Sequence, residues 1–162
     1  MPKATPSERC EPFQEWLEDI ENERTKRYIQ ERIIRQMDWY RTKCNAYKVK
    51  YQRWMTVSII LSSVIPVASI FANGGIAAKV LIAALGAAVT GINAYLSFRN
   101  YKNLWNTYRT NRELLLSTLY SYFNNAGIFG LETDQDKRDA MLIDVCEKSF
   151  QQEVTDWREI MK

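Results

Sequence analysis

The sequence contains no histidine. That removes the commonest general base and the commonest metal ligand. The three cysteines, Cys10, Cys44 and Cys146, are far apart and odd in number. With no CxxC or zinc-type spacing they argue against a disulfide framework or a metal site, and fit reduced structural cysteines. There is no nucleophile motif, no glycine-rich phosphate loop and no pair of metal-ligand carboxylates, so neither an enzyme nor a cofactor is expected. The first residues, "MPKATPSERCEPFQEW", lack the apolar region of a secretory signal. The net charge of +3 is too small to argue for a nucleic-acid partner.

Acid is also missing, but only locally. After Asp38 no Asp or Glu occurs until Glu113. Inside that interval, residues 54–78 carry no charge at all. The stretch 54–73 makes a helix of about 30 Å, which matches a hydrocarbon core. A second apolar run, "VLIAALGAAVTGINAYLSF", covers 80–98, and a short turn at 74–79 joins the two. The mean hydropathy of -0.36 hides this segregation. The pattern predicts two membrane spans in a helical hairpin. A soluble bundle with a buried hairpin is the alternative. It leaves the acid-free interval unexplained, and so short a chain has little protein to cover two such helices.

Basic residues flank the spans. Arg41, Lys43, Lys48, Lys50 and Arg53 precede the first; Arg99, Lys102, Arg109 and Arg112 follow the second; only Lys79 lies at the turn. The positive-inside rule then predicts both termini in the cytoplasm. Tyr51, Trp54, Tyr95, Tyr101 and Trp105 stand where amphipathic rings settle at an interface. Lys48, Lys50, Arg53, Arg99 and Lys102 are candidates to hold anionic headgroups of the bilayer.

Outside the spans the chain reads as helix. Ile33, Met37, Tyr40, Cys44, Tyr47, Tyr51 and Trp54 step by four and three, a heptad seam. This predicts a stalk over 23–53 continuous with the first span. Phe98, Tyr101, Trp105, Tyr108, Arg112, Leu115, Leu119 and Tyr122 mirror it, predicting a second stalk helix over 99–126 that stops near "NNAGIFG". Arg112 in this seam needs a partner: Asp38 is the candidate, with a contact to the Tyr40 ring as the alternative. Glu113 beside Arg109 and Arg112 reads as a salt-bridged helix face. A third helix over 133–162 has Thr133 or Asp134 as N-cap and a seam of Ile143, Cys146, Phe150, Val154, Trp157 and Met161. Within 1–22, Phe13, Trp16, Leu17 and Ile20 form one face of a short amphipathic helix, docked on the stalk or mediating subunit contact. The fold class expected is therefore an all-α membrane protein: a two-span hairpin, a coiled-coil-like stalk, a packed C-terminal helix and an N-terminal amphipathic helix.

The spans are not uniformly apolar. At about 100° per residue Ser58, Ser62, Ser69 and Asn73 fall on one face of the first, with Ile65 or Pro66 filling the gap. Pro66 cannot donate to the Ser62 carbonyl. On the second, Lys79, Ala83, Gly86, Thr90, Asn93 and Ser97 share a face, and Ala83, Ala87 and Gly91 form small-xxx-small pairs. Such stripes either pack against other helices or line a water-filled pore. Two spans per chain cannot enclose a pore, so the second reading needs a homo-oligomer. Lys79 would then form a cationic ring at the outer mouth, or simply snorkel.

The order "RIIRQMDWYRTKCNAYKVKYQRW", "VIPV", "FRNYKNLWNTYRTNRELL", "LYSYFNNAGIF" and "FQQEVTDW" resembles the SLATT-type bacterial two-transmembrane effectors. That family was first described as a domain of unknown function and is associated with SMODS nucleotidyltransferases and SLOG sensors. Trp39, Tyr40, Tyr108, Arg109, Glu113 and Trp157 match its signature positions. The resemblance implies a pore-forming effector of the bacterial inner membrane within nucleotide-signalling immunity. The chain carries no sensor or nucleotide-binding module, so a cytoplasmic trigger protein or ligand is expected as partner. A non-conducting membrane-anchored scaffold is the alternative function.

Overall fold

Heptad-spaced apolar residues dominate the sequence outside the spans, and the computed structural model is correspondingly helical. It describes residues 11–71 and 75–160, with no strand among them. The elements are α1 (Glu11–Glu18), α2 (Glu23–Tyr28), a π-helical segment (Ile29–Ile34), α3 (Arg35–Phe71), α4 (Ile76–Arg99), α5 (Tyr101–Phe123), a 3-10 turn (Gly127–Leu131) and α6 (Gln135–Ile160). Asn73, Met161 and the side chain of Trp157 lie outside the described residues. The chain divides into two units, Met1–Trp39 with Asn111–Lys162, and Tyr40–Thr110.

The first unit holds a buried core. Leu17, Ile29, Ile33, Leu115, Leu119, Phe129, Leu142 and Cys146 are each at most 1% exposed. Burying one such side chain is worth about 1.5–3 kcal/mol. Of the two roles open to the N-terminal helix, docking is the one observed. Phe13, Leu17 and Ile20 are buried, and the Phe13 and Trp16 rings sit 5.5 Å from Tyr120 and 5.3 Å from Phe123. Asn22 opens α2, its side-chain oxygen accepting from the Arg24 N–H at 3.1 Å.

The π segment has no mark in the heptad pattern, and it lies within a row of buried residues. Thr25, Ile29, Ile33 and Met37 are all buried and all four residues apart. On an α-helix successive steps of four drift around the axis. The two middle members, Ile29 and Ile33, fall in the π segment, whose i→i+5 bonding widens the turn there.

α5 ends at Phe123, and α6 begins at Gln135, within the expected 99–126 and 133–162. The reversal between them needs left-handed backbone at Asn125 and Gly127 (φ 48° and 59°). Gly130 is fixed by space, since a Cβ there would stand 2.5 Å from the Asn125 carbonyl oxygen. Of the two N-cap candidates, Asp134 does the capping: its Oδ1 accepts from the Asp136 N–H at 3.0 Å. The face α6 buries is Asp139, Leu142, Cys146 and Phe150. The predicted seam is thus corrected at its flanks. Ile143 is only half-buried and Val154 is 51% exposed.

The second unit is an antiparallel hairpin. Tyr47 stacks on Tyr108 (5.8 Å, 8°) and lies 5.9 Å from Tyr101, Tyr40 meets Tyr108 at 6.1 Å, and Trp54 sets its edge on Tyr95 at 6.0 Å. The two aromatic seams therefore face each other. One boundary is corrected. α4 includes Arg99, and Asn100 then takes a left-handed conformation (φ 50°) before α5 starts. The Asn100 N–H bonds the Leu96 carbonyl at 3.1 Å, a C-cap where the sequence pattern suggested unbroken helix. α4 also begins at Ile76, inside the expected turn.

Candidate functional site: one polar flank of the hairpin

Two helices are long and apolar enough to cross a membrane, and their apolar windows are only 6% and 0% buried. Neither is a core helix covered by the rest of this chain. Ile59, Ile60, Val67, Ile70, Val80 and Leu81 are all more than half exposed.

What the helices do bury is a narrow seam against each other. On α3 it comprises Ser58, buried, with Leu61, Ile65 and Ala68 half-buried. On α4 it comprises Ile82, Leu85, Val89 and Ile92, half-buried, with Leu96 buried. Apart from Ser58 and the half-buried Gly86, the polar stripes are not this seam. Ser62, Pro66, Ser69, Lys79, Thr90, Asn93 and Ser97 are exposed.

Helical geometry shows where the stripes go. At 100° per residue the polar stripe is turned from the seam by about 60° on α3 and about 90° on α4, in the same sense along each chain direction. Because the helices run antiparallel, the same sense about opposed axes carries both stripes to one flank. Two observations bear this out. The Ser58 hydroxyl donates to Asn93 Oδ1 at 3.4 Å, joining stripe to stripe. Tyr51 and Met55 of α3 line one groove of about 320 Å³ together with Asn93 and Ser97 of α4 and Lys102 beyond it. In the same register Ser62 stands level with Thr90, and Ser69 with Ala83.

The hydroxyls on this flank are locally satisfied. Ser62 donates to the Ser58 carbonyl (2.8 Å), Ser69 to the Pro66 carbonyl (2.7 Å) and Thr90 to the Gly86 carbonyl (3.0 Å). α3 continues through Pro66 to Phe71. Gly86 and Gly91 have open space where a Cβ would sit; Ala83 on the flank, Ala87 beside it and Gly91 further round α4 are exposed.

The basic residues at the hairpin's open end sit among aromatics. Lys48 Nζ lies 5.7 Å from the Trp105 ring centroid and Lys50 Nζ 6.0 Å from that of Tyr47. Arg99 donates to the Tyr101 hydroxyl at 3.2 Å. Arg53 and Arg109 are exposed. In the first unit Arg112 finds its carboxylate one residue along, in Glu113 at 2.8 Å, rather than in Asp38, which is half-buried.

Two polar clusters in the first unit escaped sequence reading. Glu147 accepts from Tyr28 (2.9 Å) and from Arg32 Nε (3.1 Å), while the Arg32 guanidinium lies 4.6 Å from the Phe150 ring centre. The Arg32 hydrogen bond holds the Glu147 carboxyl below its ordinary range against the opposing effect of burial. Burial and the Glu147 bond raise the Tyr28 phenol, and burial pushes the Cys146 thiol up to about 12. That thiol is a packing group rather than a nucleophile. The second cluster centres on Asp139, 2% exposed, which accepts from Tyr122 (2.5 Å) and Gln135 (2.8 Å). Arg138 binds Asn125 at 2.7 Å and also Gln135. Beside this network Trp16, Ile20, Phe123, Asn124 and Arg138 line a cleft of about 510 Å³. Its one advance signal was Asp139 standing at a buried step of the α6 row.

A family described as "protein of unknown function (DUF4231)" matches residues 35–137. The chain belongs to this family. The DUF4231 match starts with α3 and ends in the first turn of α6, so it takes in both apolar helices and the whole polar flank. It is narrower than the 28–157 stretch that resembles the SLATT-type effectors, and it is not specific to them. No protein of curated function and no solved structure matches the chain.

Proposed function

We propose that this DUF4231 protein is a homo-oligomeric channel or pore-forming effector of the bacterial inner membrane, with both termini in the cytoplasm. The observation that carries the reading is the shared flank. One side of the hairpin carries Ser62, Ser69, Thr90, Asn93 and Ser97 with the small Ala83 and Gly86 among them, while the opposite side of α3 is Val57, Ile60, Val64 and Val67 left open. Several copies that turn this flank inward would line a water-filled conduit and leave the apolar faces to lipid. The exposed Ala83 on the flank and Ala87 beside it allow neighbouring helices to approach closely. Eight of the nine basic residues in the hairpin unit lie at its open end and one, Lys79, at the turn, which favours the proposed orientation. The resemblance to SLATT-type effectors supports a triggered pore, and the cleft beside Arg138 is where a cytoplasmic ligand would have room.

Reconstitution in liposomes tests this. The expected result is release of ions or a small dye, reduced by Ser62→Leu. An assembled oligomer that releases nothing under any trigger contradicts it.

A non-conducting anchored scaffold is the second reading, and the Ser58–Asn93 contact favours it in part. That pair serves the hairpin itself. Substituting Asn93 would therefore disturb packing in either case. Ser62→Leu is the cleaner discriminator: its hydroxyl touches only its own helix backbone, so a scaffold tolerates the change and a conduit does not.

A further inference from the structure

We infer that the conduit favours anions, an inference that rests on the channel reading. The polar flank is bracketed by two lysines. Lys79 lies on the α4 polar face at the turn end, and Lys102 lines the groove with Asn93 and Ser97 at the other. Lys79 and Ser97, at the two ends of that face, are about 27 Å apart along the helix, close to a hydrocarbon thickness. Lys79 is therefore at one mouth and Lys102 at the other.

No counter-charge neutralises them within their unit. Residues 40–110 contain not a single Asp or Glu. In a closed homo-oligomer each lysine becomes a ring, with one positive charge per copy at each mouth. Rings of Lys or Arg are how anion pores exclude cations, and low-dielectric walls strengthen the field between them. The wall between the rings carries no charge of its own. A serine or threonine hydroxyl can turn its proton toward an anion or its lone pairs toward a cation. It does not set the sign. Fixed charge sets it, and every fixed charge on this flank is positive. A small inorganic anion such as chloride is the permeant species this arrangement suits.

The test is the reversal potential of the purified full-length protein in a planar bilayer under a KCl gradient. A reversal on the chloride side of zero is expected, with a chloride-to-potassium permeability ratio several-fold above one. Lys79→Gln and Lys102→Gln should each lower that ratio, and Lys79→Glu with Lys102→Glu should carry it below one. The wild-type measurement stands alone if a variant fails to assemble. Reversal on the potassium side overturns the inference and leaves the channel reading intact, as does a ratio unmoved by the variants. An assembled oligomer with no current overturns both.

Discussion

The two units of this chain are built to different rules. Every one of the 19 Asp and Glu residues lies in the unit formed by Met1–Trp39 and Asn111–Lys162, and the unit Tyr40–Thr110 has none. The first unit buries a core of Leu17, Ile29, Ile33, Leu115, Leu119 and Leu142 almost completely, leaves Leu114, Ile128 and Leu131 exposed, and carries surface ion pairs such as Lys148–Asp144 and Lys137–Asp134. The second leaves most of its Ile and Val residues open and buries only a narrow seam that includes Ile65, Ile82, Val89 and Ile92. Water drives apolar groups inward and tolerates paired charge outside, which describes the first unit. Apolar side chains outward, backbone satisfied within helices and a basic open end, as in the second unit, are what the proposed membrane spans require. The contrast teaches that composition averaged over the whole chain conceals both halves.

Substitutions can break this comparison, beginning with the core. Leu119→Ala removes a fully buried side chain from the first unit. It should cost about 2–5 kcal/mol of that unit's stability, read by chemical denaturation of the full chain in detergent. Hairpin helicity should persist through that transition.

A sharper comparison uses two valines of similar exposure. Val64 is 45% exposed and Val154 is 51% exposed, but they lie in different units. Lysine at position 64 should oppose membrane insertion by about 2.5–3.5 kcal/mol, visible as protein shifted out of the membrane fraction. Lysine at position 154 should change stability by less than about 0.5 kcal/mol and leave fractionation unchanged. Equal effects at both sites would erase the proposed difference in solvent.

Smaller effects probe the polar contacts of each unit. Glu147 has its carboxyl held below the ordinary range by Arg32. Its contribution is therefore complete above the unfolded carboxylate pKa, and is lost as pH falls through the ordinary carboxylate range toward the lowered folded value. With its side chain 37% exposed, the pair is screened by solvent and is worth about 0.5–1 kcal/mol. The melting temperatures of wild type and Glu147→Gln should differ near neutral pH and converge in acid. Ser58→Ala, which removes the 3.4 Å bond to Asn93, should cost the hairpin about 0.6 kcal/mol, the typical worth of a hydrogen bond between membrane helices.

Much of this was legible from spacing alone. The heptad steps at Tyr40, Tyr47, Tyr101 and Tyr108 gave the seams that meet in the hairpin. The run from Phe13 to Ile20 gave the face that α1 buries. What spacing could not give was anything decided by local geometry or by a partner helix. Asn100 interrupts α4 and α5 because asparagine tolerates left-handed backbone, yet an asparagine inside a helical pattern carries no such announcement. The π segment lies in a row of buried residues spaced by four, which alternating threes and fours do not describe. Asp139 is buried where Tyr122 of α5 and Gln135, one turn back on α6, donate to it. The polar stripes were visible on each span. That they share a flank, leaving an apolar seam to join the helices, needed the relative rotation of the two.

That flank is the centre of the account, and cysteine accessibility tests it most directly. Single cysteines at positions 62, 69 and 90 on the flank, and at 64 and 67 on the apolar side, would be introduced with Cys10, Cys44 and Cys146 replaced by serine. Each would be treated in membranes with a small charged thiol reagent. Labelling at 62, 69 and 90 with protection at 64 and 67 is the predicted result. Labelling of 64 and 67 with protection of the flank positions, or equal behaviour at all five, contradicts it.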